Sequence, residues 1–563
     1  MNPAPDLIFH NACIHTCNRH AEQCQAIALT GPLITAVGSN ADILALRGPS
    51  TRVLDLQGRA VIPGMTDGHA HMDREGLRHH LPDLSSAHSI QDILDVIADE
   101  AANTPAGQWI VTQPIGRPPE YQDPLAALKE GRYPTRRDLD AVSPNHPVYI
   151  RPIWGYWRNQ PPLVSVANSL ALQRAGVTAE TRAPSPDITI DRDDTGEPTG
   201  VFIERTLVPV VEHSLMRAAP GFSVDQRVSG LRHAMAVYNR YGTTAVFEGH
   251  GVADEVLEAY RRVHRQGEDS VRATLVFSPN WALRASGEAS DLLRDWAGWL
   301  GGRGAGDARL RIQGIYTELD RDPLNNQLRA GNAPCTGWAG FQAGSALPEQ
   351  ALHALLVEAA RQGVRVAGIW PDLLPAFERA HQAAPIDALR WVLGHQAIVT
   401  EEMMASIKAL GIVLTTHTNR HIYKDGDKWL QRLPPLEQQD IVPLRRLLEA
   451  GVPVAFGSDN LPVSLFGPLW HAVSRLSRHG LVVAPEQALS RQQALDIAVK
   501  GGAYLTFDEH TRGSLEAGKL ADLAVLSEDP LACPEAALPG IEALMTVVDG
   551  RIVHLDPLLG TLA

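Results

Sequence analysis

The chain has little of several things, and each shortage excludes something. Five cysteines in 563 residues are too few for a disulfide framework. No apolar run approaches the ~18–20 residues that a membrane helix needs. Positive charge is also short: 50 Lys and Arg against 64 Asp and Glu leave a net charge of -14, which argues against nucleic acid or an anionic membrane as partner. Aromatic residues make up only 6%. The opening MNPAPDLIFHNACIHTC has neither a basic stretch nor an apolar h-region, so no secretory signal is read and a cytoplasmic location is expected. What remains is an ordinary globular composition, 44% hydrophobic and 20% charged, in a chain long enough for more than one domain.

Histidine is plentiful, with 22 residues, and two of them stand in VIPGMTDGHAHMDREG, Val61 to Gly76. Alternate residues of a strand face the same way, so His69 and His71 are expected to point together as a chelating pair, with Asp67 and Asp73 near enough to orient the rings. Cys13, Cys17 and Cys24 alternate with His10, His15 and His20, but DLIFHNACIHTC and AIALTGPLITAVG read more simply as strands, the second a hairpin turning at TGPL.

Between about Asp6 and Val61 the chain reads as short strands with turns, and the last fifty residues return to that texture. The expected architecture is α/β: a (β/α)8 TIM barrel over 62–509, with an insertion around 105–225, and a small β-sandwich composed of 1–61 and 510–563. The barrel follows from strand-like runs separated by helical ones: WIVTQPIG, PVYIRPIWG, TTAVFEGHG, RATLVFSPN, LRIQGIYTELD, VRVAGIW, LRWVLGHQ, GIVLTTHTN and VPVAFGSDN. Polar residues gather where these runs end, the end at which barrel sites lie. They are Glu248 and His250, Glu318 and Asp320, His395, His417 and Asp459. His417, His421 and His471 are read as packing residues, whereas His69, His71 and Asp459 are read together as a site.

VIPGMTDGHAH, GSDN and the closing ALDIAVKGGAYLTFDEHTRGSLEAGKLADLAVLSEDP resemble the amidohydrolase superfamily. PTRRDLDAVSPNHPVYIRP, VANSLALQRAGVT and DRDDTGEPTGVFIE resemble its amidohydrolase 3 group, which includes N-substituted formamide deformylases. The resemblance implies a metal-dependent hydrolase acting on carbon–nitrogen bonds other than peptide bonds. It makes His69, His71 and His395 metal ligands, and Asp459 both a ligand and the group that takes the proton of the attacking water, with His395 as a second catalytic candidate. Two departures stand out. Gly368 occupies the place of a strand-five histidine, and Tyr316 that of a lysine that can be carbamylated to bridge two metals. One divalent ion per chain, zinc in the first instance, is therefore expected, with Glu248, Glu318 or His250 as an additional ligand or polar site residue.

A divalent ion held by imidazoles lowers the pKa of water toward ~7, and Asp459 would act as general base and then acid. Trp154, Trp157, Tyr316 and Trp370 are read as the walls of a flat, apolar pocket for a small aromatic or N-substituted amide. Deamination or ring-opening of a cyclic amide would use the same groups, and a repurposed barrel with reduced activity is the third reading. A small-molecule substrate is the expected partner. The exact substrate, the metal's identity, the oxyanion-stabilising group and self-association are left open by the sequence.

Overall fold

The computed structural model describes residues 4–560 apart from 119–120, 122–123, 154–160, 282–287 and 460–461. Eight parallel strands form the central element: β1 (Met65–Asp67), β2 (Thr243–Val252), β3 (Arg272–Phe277), β4 (Leu310–Tyr316), β5 (Val366–Gly368), β6 (Val392–Gly394), β7 (Val413–Thr416) and β8 (Val454–Phe456). Each pairs in parallel with the next in chain order from β1 to β8. The strands are buried almost throughout, as parallel strands covered on both faces must be. Phe247, Val276, Tyr316, Ala367, Val392, Val413 and Ala455 pack together inside the barrel, while Leu393, Leu414 and Val454 face an outer layer that includes Leu373, Phe377, Ile407 and Leu447.

The seam between β8 and β1 is closed by individual hydrogen bonds. Gly68 N donates to Phe456 O at 2.7 Å and Asp459 N to His69 O at 2.9 Å. The buried Asp67 carboxylate spans the same seam, accepting from His69 N at 3.0 Å, from Ser458 N at 3.1 Å and from the Ser458 hydroxyl.

Both chain ends meet in a β-sandwich. One sheet runs Leu33–Gly38, Ala26–Thr30, Leu7–His10, Arg52–Asp55; the other runs Arg551–Leu555, Ala543–Val548, Leu523–Leu526, Ala60–Pro63, Cys13–His15, Gln23–Cys24. Phe9, Ile14, Ile27 and Val61 from the first part of the chain share an apolar layer with Leu523, Val525, Met545 and Val547 from the last. AVIP, the lead-in to the histidine pair, therefore belongs to the sandwich, and β1 begins only at Met65. The runs WIV and VYI are likewise not barrel strands. Ile110–Thr112 and Val148–Ile150 pair with each other in a separate five-stranded sheet with Leu163–Ala167, Ile188–Arg192 and Pro198–Glu204, a segment that leaves the chain after β1 and returns before β2. No helix among the described residues is long and apolar enough to cross a membrane.

Buried ion pairs tie the barrel to the C-terminal segment. On β4, Arg311 donates to Asp508 at 3.0 Å, and Arg512 and Arg303 reach the same carboxylate at 2.9 and 2.7 Å. Burial alone would raise the Asp508 pKa, but Arg512 and Arg311 outweigh it and hold the group at about 2. A carboxyl whose folded pKa lies below its unfolded value of 3.8 contributes stability that is fully present above 3.8 and lost as pH falls through about 2. Asp508→Asn strands two buried guanidinium groups, and is expected to cost ~3–5 kcal/mol in urea unfolding at pH 7. The cost should shrink as the titration is repeated toward pH 2.

Candidate active site

Six polar side chains, His69, His71, His250, His395, His417 and Asp459, gather at the C-terminal ends of β1, β2, β6, β7 and β8. His69 and His71 follow β1, but not on the strand itself: the backbone stays tied to its neighbours through His69 O and through Ala70 N, which donates to Phe247 O at 2.9 Å. His71 is the residue before α1 (Met72–Leu77). The two rings nonetheless turn to one side, as the alternation predicts, with centroids 5.2 Å apart.

His395 after β6 and Asp459 after β8 both take positive φ, 53° and 64°. A non-glycine residue there is uncommon and is found where surrounding structure enforces it. Asp459 sits at the centre of the group. Its Oδ1 lies 3.2 Å from His71 Nε2 and 4.0 Å from the Nε2 atoms of His69 and His395, and its Oδ2 lies 3.8 Å from His417 Nδ1.

His417, expected as a packing residue, thus belongs to this group. Val413 and Thr415 of β7 turn inward, and two residues on so does His417, which stacks on His395 with centroids 3.8 Å apart. The signal was present in the sequence as a histidine at even spacing from the inward positions, and only the choice of face was missing. His421 lies 6.1 Å from His395, ring to ring, and His471 bonds Thr418 at 3.3 Å; neither joins a ligand grouping among the described residues.

At the barrel mouth three sets of donors are close enough to hold an ion: His69, His395, His417 and Asp459; His69, His71 and His250; and His71, Asp73 and Glu248. Burial pushes every one of these imidazoles down, His69 to about 4, so the rings are neutral at pH 7. Burial pushes Asp459 the other way, but the groups facing it, the Arg420 guanidinium being the permanently charged one, hold it below its ordinary value and it stays ionised. Neutral imidazole is the form that binds metal. Among the described residues, His69 Nε2, His71 Nε2 and both nitrogens of His395 and His417 are buried without a hydrogen bond. Buried polar atoms are rarely left so, and a cation would satisfy one nitrogen each of His69, His395 and His417 together.

Other expectations change. Glu318 lies beyond the end of β4 at Tyr316 and pairs with Ala346, and its buried carboxylate accepts from Trp370 Nε1 at 2.5 Å and from the Tyr316 side chain. It joins no ligand grouping among the described residues. Glu248, on β2, accepts from Met72 N at 3.0 Å and from the Tyr260 hydroxyl at 2.5 Å, and lies with His71 and Asp73 rather than beside Asp459. Asp67 holds backbone amides rather than imidazole rings, and Asp73 faces Arg227 at 3.9 Å.

A side chain at Gly368 would not point into the site, because its Cβ would meet Leu373 Cδ1 at 2.1 Å on the outer face. The inward neighbours on β5 are Ala367 and Ile369, both apolar. Tyr316 is buried inside the barrel with its ring 4.9 Å from His250, which itself stacks on Phe341 at 4.3 Å. Trp370 lies 6.3 Å from the His395 ring. Trp154 and Trp157 lie outside the described residues.

A (β/α)8 barrel with clustered imidazoles and one aspartate at its strand ends defines a class of barrel hydrolase. The chain belongs to the amidohydrolase family, whose model matches residues 52–554. It is 26% identical over 566 residues to the N-substituted formamide deformylase of Arthrobacter pascens, covering 98% of each chain. It is 25% identical over 578 residues to the putative amidohydrolase YtcJ of Bacillus subtilis strain 168, covering 97% of this chain and 99% of that one. Its fold matches an uncharacterized metal-dependent hydrolase from Pyrococcus furiosus with a TM-score of 0.66 at 21% identity, over 93% of this chain and 99% of that one.

The position of His71 depends on α1, which packs against α2 (Val224–Arg240) with two glycines in contact. A Cβ on Gly76 would lie 1.6 Å from Gly230 O. Gly76→Ala must therefore push the helices apart, with an expected loss of ~1–3 kcal/mol in urea unfolding. An unchanged midpoint would mean that the two helices separate freely.

Proposed function

We propose that the chain is a metal-dependent hydrolase that cleaves the C–N bond of a small N-substituted or aromatic amide, with one divalent ion, zinc in the first instance, at the barrel mouth. The observation that carries this reading is the convergence of imidazoles from β1, β6 and β7 on Asp459, with their buried nitrogens lacking hydrogen bonds. His69, His395, His417 and Asp459 would hold the ion, with His71 and His250 as the alternative partners of His69. These two groupings share His69, and one ring nitrogen serves one ion, so they cannot both be filled; in the third, His71, Asp73 and Glu248, the carboxylates already face Arg227, Met72 N and the Tyr260 hydroxyl, which favours a single ion on the Asp459 side.

When bound, the ion supplies Lewis acidity, lowering the pKa of water toward ~7 and polarising a carbonyl oxygen. Asp459, ionised and central, accepts the proton of the attacking water and returns it to the leaving nitrogen. His71 is the ring closest to that carboxylate, at 3.2 Å, and orients it. His250, held by Phe341 and Tyr316, is placed to face the carbonyl oxygen. The depressed imidazole pKa values keep these rings available as neutral donors of a lone pair across the ordinary pH range.

The amide substrate is supported by the likeness to a formamide deformylase along nearly the whole chain. An N-substituent would lie against Trp370, whose indole is fixed by Glu318, and against Tyr316 and Phe341. Deamination would release ammonia without forming a carboxylic acid, so product analysis on N-alkyl formamides, aryl amides and cyclic amides separates the readings.

Asp459→Asn is expected to lower kcat by ~10²–10⁴-fold while the ion is retained. An unchanged kcat would hand water activation to another residue. In His69→Ala/His71→Ala, elemental analysis should find about one equivalent of divalent metal fewer than in the unmodified protein. Equal metal content in the two proteins would rule these residues out as ligands.

A further inference from the structure

Cys13 and His15 occupy one face of the strand Cys13–His15, while Ile14 between them enters the sandwich core. Asp529, 514 residues beyond His15, turns its carboxylate onto both. Its Oδ1 is 2.9 Å from His15 Nε2 and its Oδ2 is 3.5 Å from Cys13 Sγ, and Sγ is 3.6 Å from the same Nε2. Leu531 N donates to Oδ1 at 2.9 Å and fixes the carboxylate.

A thiol, an imidazole and a carboxylate together invite comparison with a nucleophilic triad, but the geometry is wrong for one. A relay needs the nucleophile on one ring nitrogen and the carboxylate on the other. Here both approach Nε2. Sulfur, nitrogen and oxygen instead converge on a common point, which suits a cation.

The distances agree. Tetrahedral zinc, with bonds of ~2.3 Å to sulfur and ~2.0–2.1 Å to nitrogen and oxygen, holds sulfur ~3.6 Å from either and holds nitrogen ~3.4 Å from oxygen. The sulfur–nitrogen separation already lies there; the carboxylate meets its two partners through different oxygens, so it must rotate to offer one oxygen to the ion while the His15–Asp529 contact opens by ~0.5 Å. Gln23, paired with His15 on the neighbouring strand, donates its side-chain amide to Cys13 Sγ. Turning that amide over presents its oxygen as a fourth ligand. Thiolate with imidazole selects zinc-class ions over magnesium or calcium.

We propose that Cys13, His15 and Asp529 form a second metal site, separate from the barrel mouth, that takes a zinc-class divalent ion and staples the two chain ends together. On binding, the Cys13 S–H proton leaves to solvent, the His15 proton moves to Nδ1, and Nε2, Sγ and a carboxylate oxygen become the ligands.

The barrel-mouth donor groupings contain no cysteine, so a thiolate signal reports this site alone. Cobalt(II) titrated into the metal-free protein is expected to give the near-ultraviolet thiolate-to-cobalt charge-transfer band, at the same intensity in His69→Ala/His71→Ala. The band should vanish in Cys13→Ser and in Cys13→Ala and weaken at least tenfold in His15→Ala, while Cys24→Ser keeps it. No band in the unmodified protein with cobalt in excess, or a band that survives in Cys13→Ser, overturns the proposal. Because the barrel-mouth ligands are already removed in one arm, failure of the barrel reading leaves this result unaffected.

Discussion

The closure of the barrel between its first and last strands is the contact on which the rest of the site depends. Asp67 at the end of β1 accepts from the amides of His69 and Ser458 and from the Ser458 hydroxyl, while His69 O accepts from Asp459 N. Apart from the local Asp67–His69 bond, these join residues 391 or so positions apart in sequence. They also fix the backbones of the first histidine and the aspartate side by side, so the seam that completes the barrel sets the spacing of the candidate ligands.

Around that seam the electrostatics follow from burial. Removing charge from water is expensive, and a buried ionisable group either finds a partner or stays neutral. The imidazoles take the second course and Asp459 the first, its negative charge being favoured by Arg420. A set of neutral nitrogen donors around one carboxylate is an arrangement whose cost a divalent ion offsets. The strained backbone at His395 and Asp459 belongs to the same account, since strain of this kind persists only where the surroundings hold it.

The candidate ligands are spread unevenly among the strands. At β5 the inward positions are Ala367 and Ile369, and at β4 Tyr316 fills the interior. β7 contributes His417 and β2 contributes His250, so imidazoles come from β1, β2, β6 and β7. The aromatic residues then line the side of the mouth where β4 and β5 supply no ligand, through Tyr316, Phe341 and Trp370. Phe341 and Tyr316 pack on His250 and Trp370 lies against His395, so the aromatic groups adjoin the candidate ligands.

The sequence by itself determined the parts that rest on local pattern. Buried parallel strands must be continuous apolar runs, so β2 to β8 stood out, and the polar residues that end them marked the mouth of a barrel. His395 and Asp459 were legible as candidates because each directly follows such a run, and His69 and His71 because they alternate. Tertiary structure decided what depends on facing and on distant pairing. Whether His417 turns inward is set by the register of β7 against its neighbours. Glu318 left the barrel wall because β4 ends two residues earlier, and Gly368 faces outward because its partner Leu393 does. Cys13 and His15 were visible as an alternating pair, yet their third companion lies more than 500 residues away. No local pattern encodes Asp529 as their neighbour; the pairing of the two chain ends in one sheet does.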